Sequence, residues 1–159
     1  MLLYGVMTSC TRRSDETTRL IGTRLADVGA RFTRARRLVV RALTESPGPM
    51  IAADLHETLR GEVPLSSLYR TLSVLEGAGI LAREHGSNGV ARHELAEWLT
   101  GHHHHLVCTD CGVVQDVTPE PAVEREIVGF VDHIATAAGY RATDHRLDIE
   151  GTCAACTSK

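Results

Sequence analysis

Apolar positions recur at helical spacing through the first half of the chain and at alternating spacing in short runs after it. From Thr17 to Val28, Leu20, Ile21, Leu25 and Val28 share one stripe, and Gly29 stops the pattern. A second helix is expected after Thr33, a good N-cap, with Leu38, Val39 and Leu43 turned inward. Ser46-Pro47-Gly48-Pro49 breaks the chain, and a short third helix covers Ala52–Leu59 and ends at Gly61. In the next segment Leu68, Leu72 and Leu75 recur at i, i+4 and i+7. Ser66 or Ser67 is the expected cap, Tyr69, Arg70 and Ser73 fall on other faces, and Gly77 and Gly79 close the helix. Ile80–Glu84 and Val90–Leu95 read as strands about a turn at His85–Gly89.

Helices, a turn, a further helix and a β-hairpin come in the order of a winged helix-turn-helix, in which the helix after the turn enters the major groove. Past a joint at Trp98–Gly101 the pattern changes. His102–Cys108 and Val113–Val117 read as strands and Pro121–Ala138 as a helix with Ile127, Val131, Ile134 and Ala138 on its stripe. His145–Glu150 reads as a third strand. The expected fold class is α+β: a tail over residues 1–16, a winged-helix domain over 17–96, a hinge over 97–101 and a small α/β domain over 102–159. So small a unit has two open sheet edges and a thin core, and a twin subunit is the expected cover. A homodimer is therefore expected.

Composition narrows the class. No run of eighteen apolar residues exists, so no membrane span is expected. Met1–Tyr4 lacks the charged start and long apolar run of a signal peptide, and the expected compartment is the cytoplasm. Aromatic residues make up only 4%, which requires aliphatic cores. The net charge of −3 hides an asymmetry: 13 Arg face 11 acids up to residue 101, and 4 Lys and Arg face 9 acids beyond it. Nine of the arginines lie between Arg12 and Arg41. A basic end on a mildly acidic chain suits a polyanion, and it equally suits a solvated helix face.

The chemistry lies in the second half. Cys108-Thr-Asp-Cys111 and Cys153-Ala-Ala-Cys156 are two CxxC knuckles with 41 residues between them. Each turns two thiolates toward one ion, and four sulfurs form a closed tetrahedral site, so Cys108, Cys111, Cys153 and Cys156 read as a structural zinc site. Thioredoxin-type redox pairs and disulfides are the alternatives, weakened by the doubling of the motif and by the expected compartment. Cys10 lies outside the pattern. His102-His-His-His105 stands directly before the first knuckle. On a strand His102 and His104 point one way and His103 and His105 the other, so one run supplies two ligands to each of two further metal sites. A solvated histidine cluster is the alternative.

Taken in order, these motifs resemble the ferric uptake regulator family of bacterial metalloregulators. Gly29-Ala-Arg-Phe-Thr-Arg-Ala-Arg36 is similar to its Gly-x-Arg-x-Thr-x-x-Arg opening, and Ser67-Leu-Tyr-Arg-Thr-Leu72 to its recognition-helix core. His102–Gly112 and Gly151–Cys156 are similar to its histidine strand with the first knuckle and to its second knuckle. The resemblance implies a homodimeric, metal-responsive repressor that binds double-stranded operator DNA and controls metal homeostasis. It implies that Ser67, Tyr69 and Arg70 touch DNA, with Arg31 and Arg36 near the phosphates. It further implies a regulatory site of Glu94, His103 and His105, and a second site of His102, His104, a helix acid and His145. Counting from the first knuckle selects Glu124 as that acid, with Glu126 as the alternative.

The sequence departs from the family pattern in places. The last long helix is about one turn longer, and Pro49 and Met50 stand where a histidine ligand precedes the third helix; Glu84 or His85 is the expected substitute. Ala96–Thr100 lacks the cysteine that marks many zinc sensors. Nitrogen and oxygen ligands suit Fe(II), Mn(II) or Zn(II), and the missing thiolate favours Fe(II). A zinc-sensing or peroxide-sensing repressor on the same plan is the nearest alternative. A zinc enzyme or a zinc-ribbon adaptor lies outside the family, and the chain contains no HExxH signature.

Overall fold

The computed structural model describes residues 8–85 and 89–158, in two compact units that meet in sequence at Thr100 and Gly101. Among the described residues no helix is long and apolar enough to cross a membrane.

The first unit opens with α1 (Thr8–Asp27) and α2 (Arg34–Glu45), followed by β1 (Met50–Ile51), α3 (Ala52–Thr58) and α4 (Leu65–Gly77). It closes with β2 (Leu81–His85), β3 (Ala91–Leu95) and the short α5 (Glu97–Thr100). α1 starts well inside the expected tail: residues 8–16 are helical. That extension carries no apolar stripe, so periodicity had nothing to register. Cys10 falls within it, and its side chain lies outside the described residues, as does residues 86–88 of the expected hairpin turn. Thr33 caps α2 as expected, its hydroxyl accepting from the Arg36 N–H.

The cap of α4 is a correction. Neither Ser66 nor Ser67 serves; Pro64 does, its carbonyl accepting from the N–H groups of Ser67 and Leu68 at 2.9 Å each. A proline has no N–H to leave unsatisfied, and its fixed φ suits the turn into a helix. At the other end Gly79 takes φ +65°, a conformation that favours glycine. The carbonyls exposed there are claimed by distant side chains. Arg24 Nε donates to Ala78 at 3.1 Å and Trp98 Nε1 donates to Gly79 at 2.7 Å.

β1, β3 and β2 form an antiparallel sheet in that order, with Met50 opposite His93 and Leu81 opposite Leu95. The two-residue β1 follows directly on the Pro-Gly-Pro breaker and is too short to alternate visibly. Ile21, Leu25, Val39, Leu55, Leu68, Leu75 and Ile80 are wholly buried in an aliphatic core. His93 is buried beside them on β3, with Nδ1 2.7 Å from Glu76 Oε1. Burial lowers its pKa, and the Glu76 carboxylate partly offsets the shift.

The second unit comprises β4 (His104–Cys108), β5 (Val114–Val117), α6 (Pro121–Ala137), β6 (Asp148–Gly151) and α7 (Ala154–Thr157). β4 is central. It pairs antiparallel with β5 and parallel with β6. Of the described residues in this unit, only His104, Cys108 and Val114 are buried. α6 buries none, and Ile134 of its expected stripe is 52% exposed. Val123, Val128 and Phe130 on the helix, Leu106 and Ile149 on the sheet and Val113 just before β5 are exposed as well. A single chain does not cover this much apolar surface. The unit therefore gathers its cysteines and histidines where a larger domain places leucines.

Candidate metal centres and nucleic-acid face

Cys108 ends β4, Cys111 lies in the turn after it, Cys153 is the N-cap of α7 and Cys156 lies inside α7. Parallel pairing of Cys108 with Gly151 brings the two knuckles together. All four Sγ atoms lie within 4.8 Å of one another, with Cys111 Sγ 3.8 Å from Cys153 Sγ. Four sulfurs about 2.3 Å from a central zinc stand roughly 3.8 Å apart, so the spacing fits zinc. The electrostatics agree. Main-chain N–H groups of Cys111 and Cys153 hold the Cys108 thiol down to about 6. Cys156 is pushed up to about 12, because its proton is shared with the Cys153 and Cys111 sulfurs. Four sulfurs this close carry full charge only around a cation.

A second cluster joins His102, His104, Glu124 and His145, whose ligand atoms also lie within 4.8 Å of one another. Glu124 occupies the first turn of α6. Its carboxylate meets His104 Nε2 at 3.0 Å, His145 Nε2 at 3.1 Å and His102 Nε2 at 3.5 Å. Ligands about 2.0–2.2 Å from a shared ion stand roughly 3.3–3.5 Å apart in a tetrahedron, which this donor set meets with little adjustment. Desolvation pushes the Glu124 carboxyl up, but the His104 hydrogen bond and the charges of His104, His102 and His145 together hold it below its usual range. Glu126 is exposed on α6 and has no place in the cluster.

On the other side of the histidine strand, His103 Nε2 and His105 Nε2 lie 4.0 and 3.8 Å from Asp116 Oδ1. Asp116 stands opposite His105 in the β4–β5 ladder. The sequence reading missed it, because the pairing that brings it there is a matter of register rather than of local pattern. Asp148, opposite His105 in the β4–β6 ladder, was missed for the same reason. Glu94 is buried on β3, opposite Ala82, in the first unit. Glu84 is half-buried on β2 opposite Arg92, and the side chain of His85 lies outside the described residues.

α4 turns Tyr69 outward at 55% exposure with Arg70 and Ser73, while Leu68 beside them is fully buried; Ser67 is half-buried. Arg31 is exposed in the loop before α2. Arg36 is more occupied than its sequence position suggested: its Nη1 donates to the Arg31 carbonyl. Arg37 Nη1 donates to the Phe32 carbonyl, with its guanidinium over the Phe32 ring, and Arg34 pairs with Glu62 at 2.7 Å. Arg36 and Arg37 therefore brace the loop that presents Arg31.

Comparison with known proteins gives concordant results. The model of the Ferric uptake regulator family matches residues 27–150. The chain is 34% identical over 139 residues to the ferric uptake regulation protein of Neisseria meningitidis, covering 85% of this chain and 92% of that one. Among solved structures it is similar to the ferric uptake regulator of Vibrio cholerae, 30% identical with a TM-score of 0.65 over 81% of this chain and 96% of that one. It is also similar to a zinc-bound manganese uptake regulator, 29% identical with a TM-score of 0.66 over 84% and 98%.

Proposed function

The chain belongs to the ferric uptake regulator family of metal-responsive DNA-binding regulators, and from that premise we propose that it is a homodimeric repressor acting in the cytoplasm, with three metal sites of distinct duty. Cys108, Cys111, Cys153 and Cys156 hold a structural zinc. His103, His105 and Asp116 form the regulatory site, and Glu94 is assigned to it from the sequence resemblance. His102, His104, Glu124 and His145 form a further divalent site. The proposal gives the chain no catalytic role.

One observation supports this division above the others. The run His102–His105, whose last two residues open β4, sends alternate histidines to two sulfur-free clusters, and β4 ends in a cysteine of a closed four-sulfur cluster. Four thiolates leave no open position and favour permanent occupancy, whereas imidazole and carboxylate ligands exchange metal with the surroundings. A divalent ion in the regulatory site supplies a multidentate tie that selects the DNA-competent arrangement of the protein. Oxygen and nitrogen ligands suit Fe(II), Mn(II) and Zn(II) alike, and on the absence of the thiolate that marks many zinc sensors we propose Fe(II) as the sensed metal.

On DNA, α4 enters the major groove with Tyr69 and Arg70, Ser67 lies at its first turn, and Arg31 and Arg36 attend the phosphates. The test uses duplex DNA selected from a random pool by the Fe(II)-loaded protein, with affinity measured against each metal and across salt. Replacing His103 and His105 together by Ala is expected to abolish tightening by metal while leaving the zinc content and the dimer intact. Continued tightening by metal in that variant would overturn the assignment. Affinity independent of salt would overturn the DNA contacts.

A further inference from the structure

His105 is flanked by two aspartates, one at each ring nitrogen. On one side β5 brings Asp116 within 3.8 Å of Nε2. On the other, the parallel ladder places Asp148 directly opposite His105 and its Oδ1 3.1 Å from Nδ1. His103 shows the same arrangement with a different partner: its Nδ1 lies 2.9 Å from the Gly101 carbonyl and its Nε2 faces Asp116. A carbonyl only accepts, so the proton of neutral His103 sits on Nδ1 and the lone pair on Nε2. For His105 a carboxylate takes the place of the carbonyl.

We propose that Asp148 is a positioning residue for the regulatory metal site: it accepts the Nδ1–H of His105 and thereby fixes the tautomer and ring orientation that turn the Nε2 lone pair toward Asp116. The proposal deepens the functional reading above and rests on His105 being a ligand. Asp148 is not itself a ligand, since it approaches the ring from the Nδ1 side. A neutral imidazole carries one N–H, and the hydrogen bond made by one nitrogen decides which nitrogen is left for metal. Losing such an outer partner costs about 10–100-fold in metal affinity. The Asp148 side chain is 62% exposed, so water competes for the same N–H and the lower end, about tenfold, is expected.

The experiment uses the full chain with its four-cysteine zinc retained, and Co(II) as the probe. His102→Ala and His145→Ala are introduced into every protein compared, which leaves only His104 and Glu124 of the second cluster, so that Co(II) absorption reports the His103–His105 site. Asp148→Ala is expected to weaken Co(II) about tenfold with unchanged zinc content and unfolding temperature. Asp148→Asn, whose amide oxygen still accepts the Nδ1–H, is expected to restore most of that affinity. Before Co(II) is added, ¹⁵N NMR of the imidazoles should show His105 as the Nδ1–H tautomer, shifting toward Nε2–H in Asp148→Ala alone. Unchanged Co(II) affinity or an unchanged tautomer in Asp148→Ala overturns the proposal, and so does Asp148→Asn as weak as Asp148→Ala. His105→Ala separates the two levels. If it binds Co(II) as tightly as the parent, the regulatory site itself has been misassigned; if it does not, the failure lies with Asp148 alone.

Discussion

Tyr69 and Leu68 are neighbours on α4, yet one is mostly in solvent and the other wholly buried. An aromatic residue on a helix is commonly packed, and here its exposure leaves it available for a partner. Tyr69→Ala is therefore expected to change unfolding free energy by no more than about 0.5 kcal/mol, while binding to the selected duplex falls tenfold or more. Equal losses in both measurements would mark Tyr69 as a packing residue. Gly101 supports a second prediction. It sits at φ +87° with its carbonyl against His103 Nδ1, and a Cβ in the left-handed region costs about 1–2 kcal/mol. Gly101→Ala should lower stability by roughly that amount in denaturant titration and weaken Co(II) at the same site. At this scale the four cysteines and four histidines were legible, because CxxC spacing and the alternation of side chains along an extended run are local properties, although β4 begins only at His104 and not at His102 as expected. Asp116 and Asp148 were not, because their approach to His105 depends on which strands pair and in which register. Arg36 was legible as a cation, but its engagement with the Arg31 carbonyl was not.

The elements that could be read were those with a stripe to bury. Leu68, Leu72 and Leu75 announced α4, and all three are buried. Leu68→Ala is expected to cost about 2–5 kcal/mol in equilibrium unfolding, with DNA binding recovered under conditions where the variant is folded. The first two turns of α1 have no apolar residue at helical spacing and could not be read, and β1 is two residues long. The start of α4 misled for another reason: serine is the usual side-chain cap, but Pro64 supplies its carbonyl instead. α6 was placed correctly in sequence, yet its stripe finds no core within its own unit. Periodicity shows that a helix has an apolar face, not what covers that face.

The two units are differently provided for as whole bodies. The first has a continuous aliphatic core, and among its described residues the second has three that are buried, of which one is a cysteine of the four-sulfur cluster and another an imidazole. Removing the cysteine-bound metal with a strong chelator is expected to unfold the second unit and dissociate the dimer, while calorimetry still shows a transition for the first. Removing metal from the histidine clusters alone should leave both units folded and only release DNA. An unfolded dimer after that milder treatment would show that those clusters carry structure rather than sensing. The exposed apolar face of α6 belongs to the same scale. Phe130→Glu places a charge in it and is expected to shift sedimentation toward monomer if that face is covered by a second copy.

Trp98, whose indole N–H is bound to the Gly79 carbonyl, is the only tryptophan in the chain. Light at the red edge of protein absorption thus excites one ring, at the end of the helix expected to read DNA. With 47% of its surface exposed, that ring should emit between the extremes of a dry and a fully wetted indole. Any event that frees the Gly79 carbonyl must shift the emission, because the indole then exchanges a fixed dipole for relaxing water. The protein carries an intrinsic optical gauge of the C-terminal end of α4, readable without a label in the same cuvette as a metal titration.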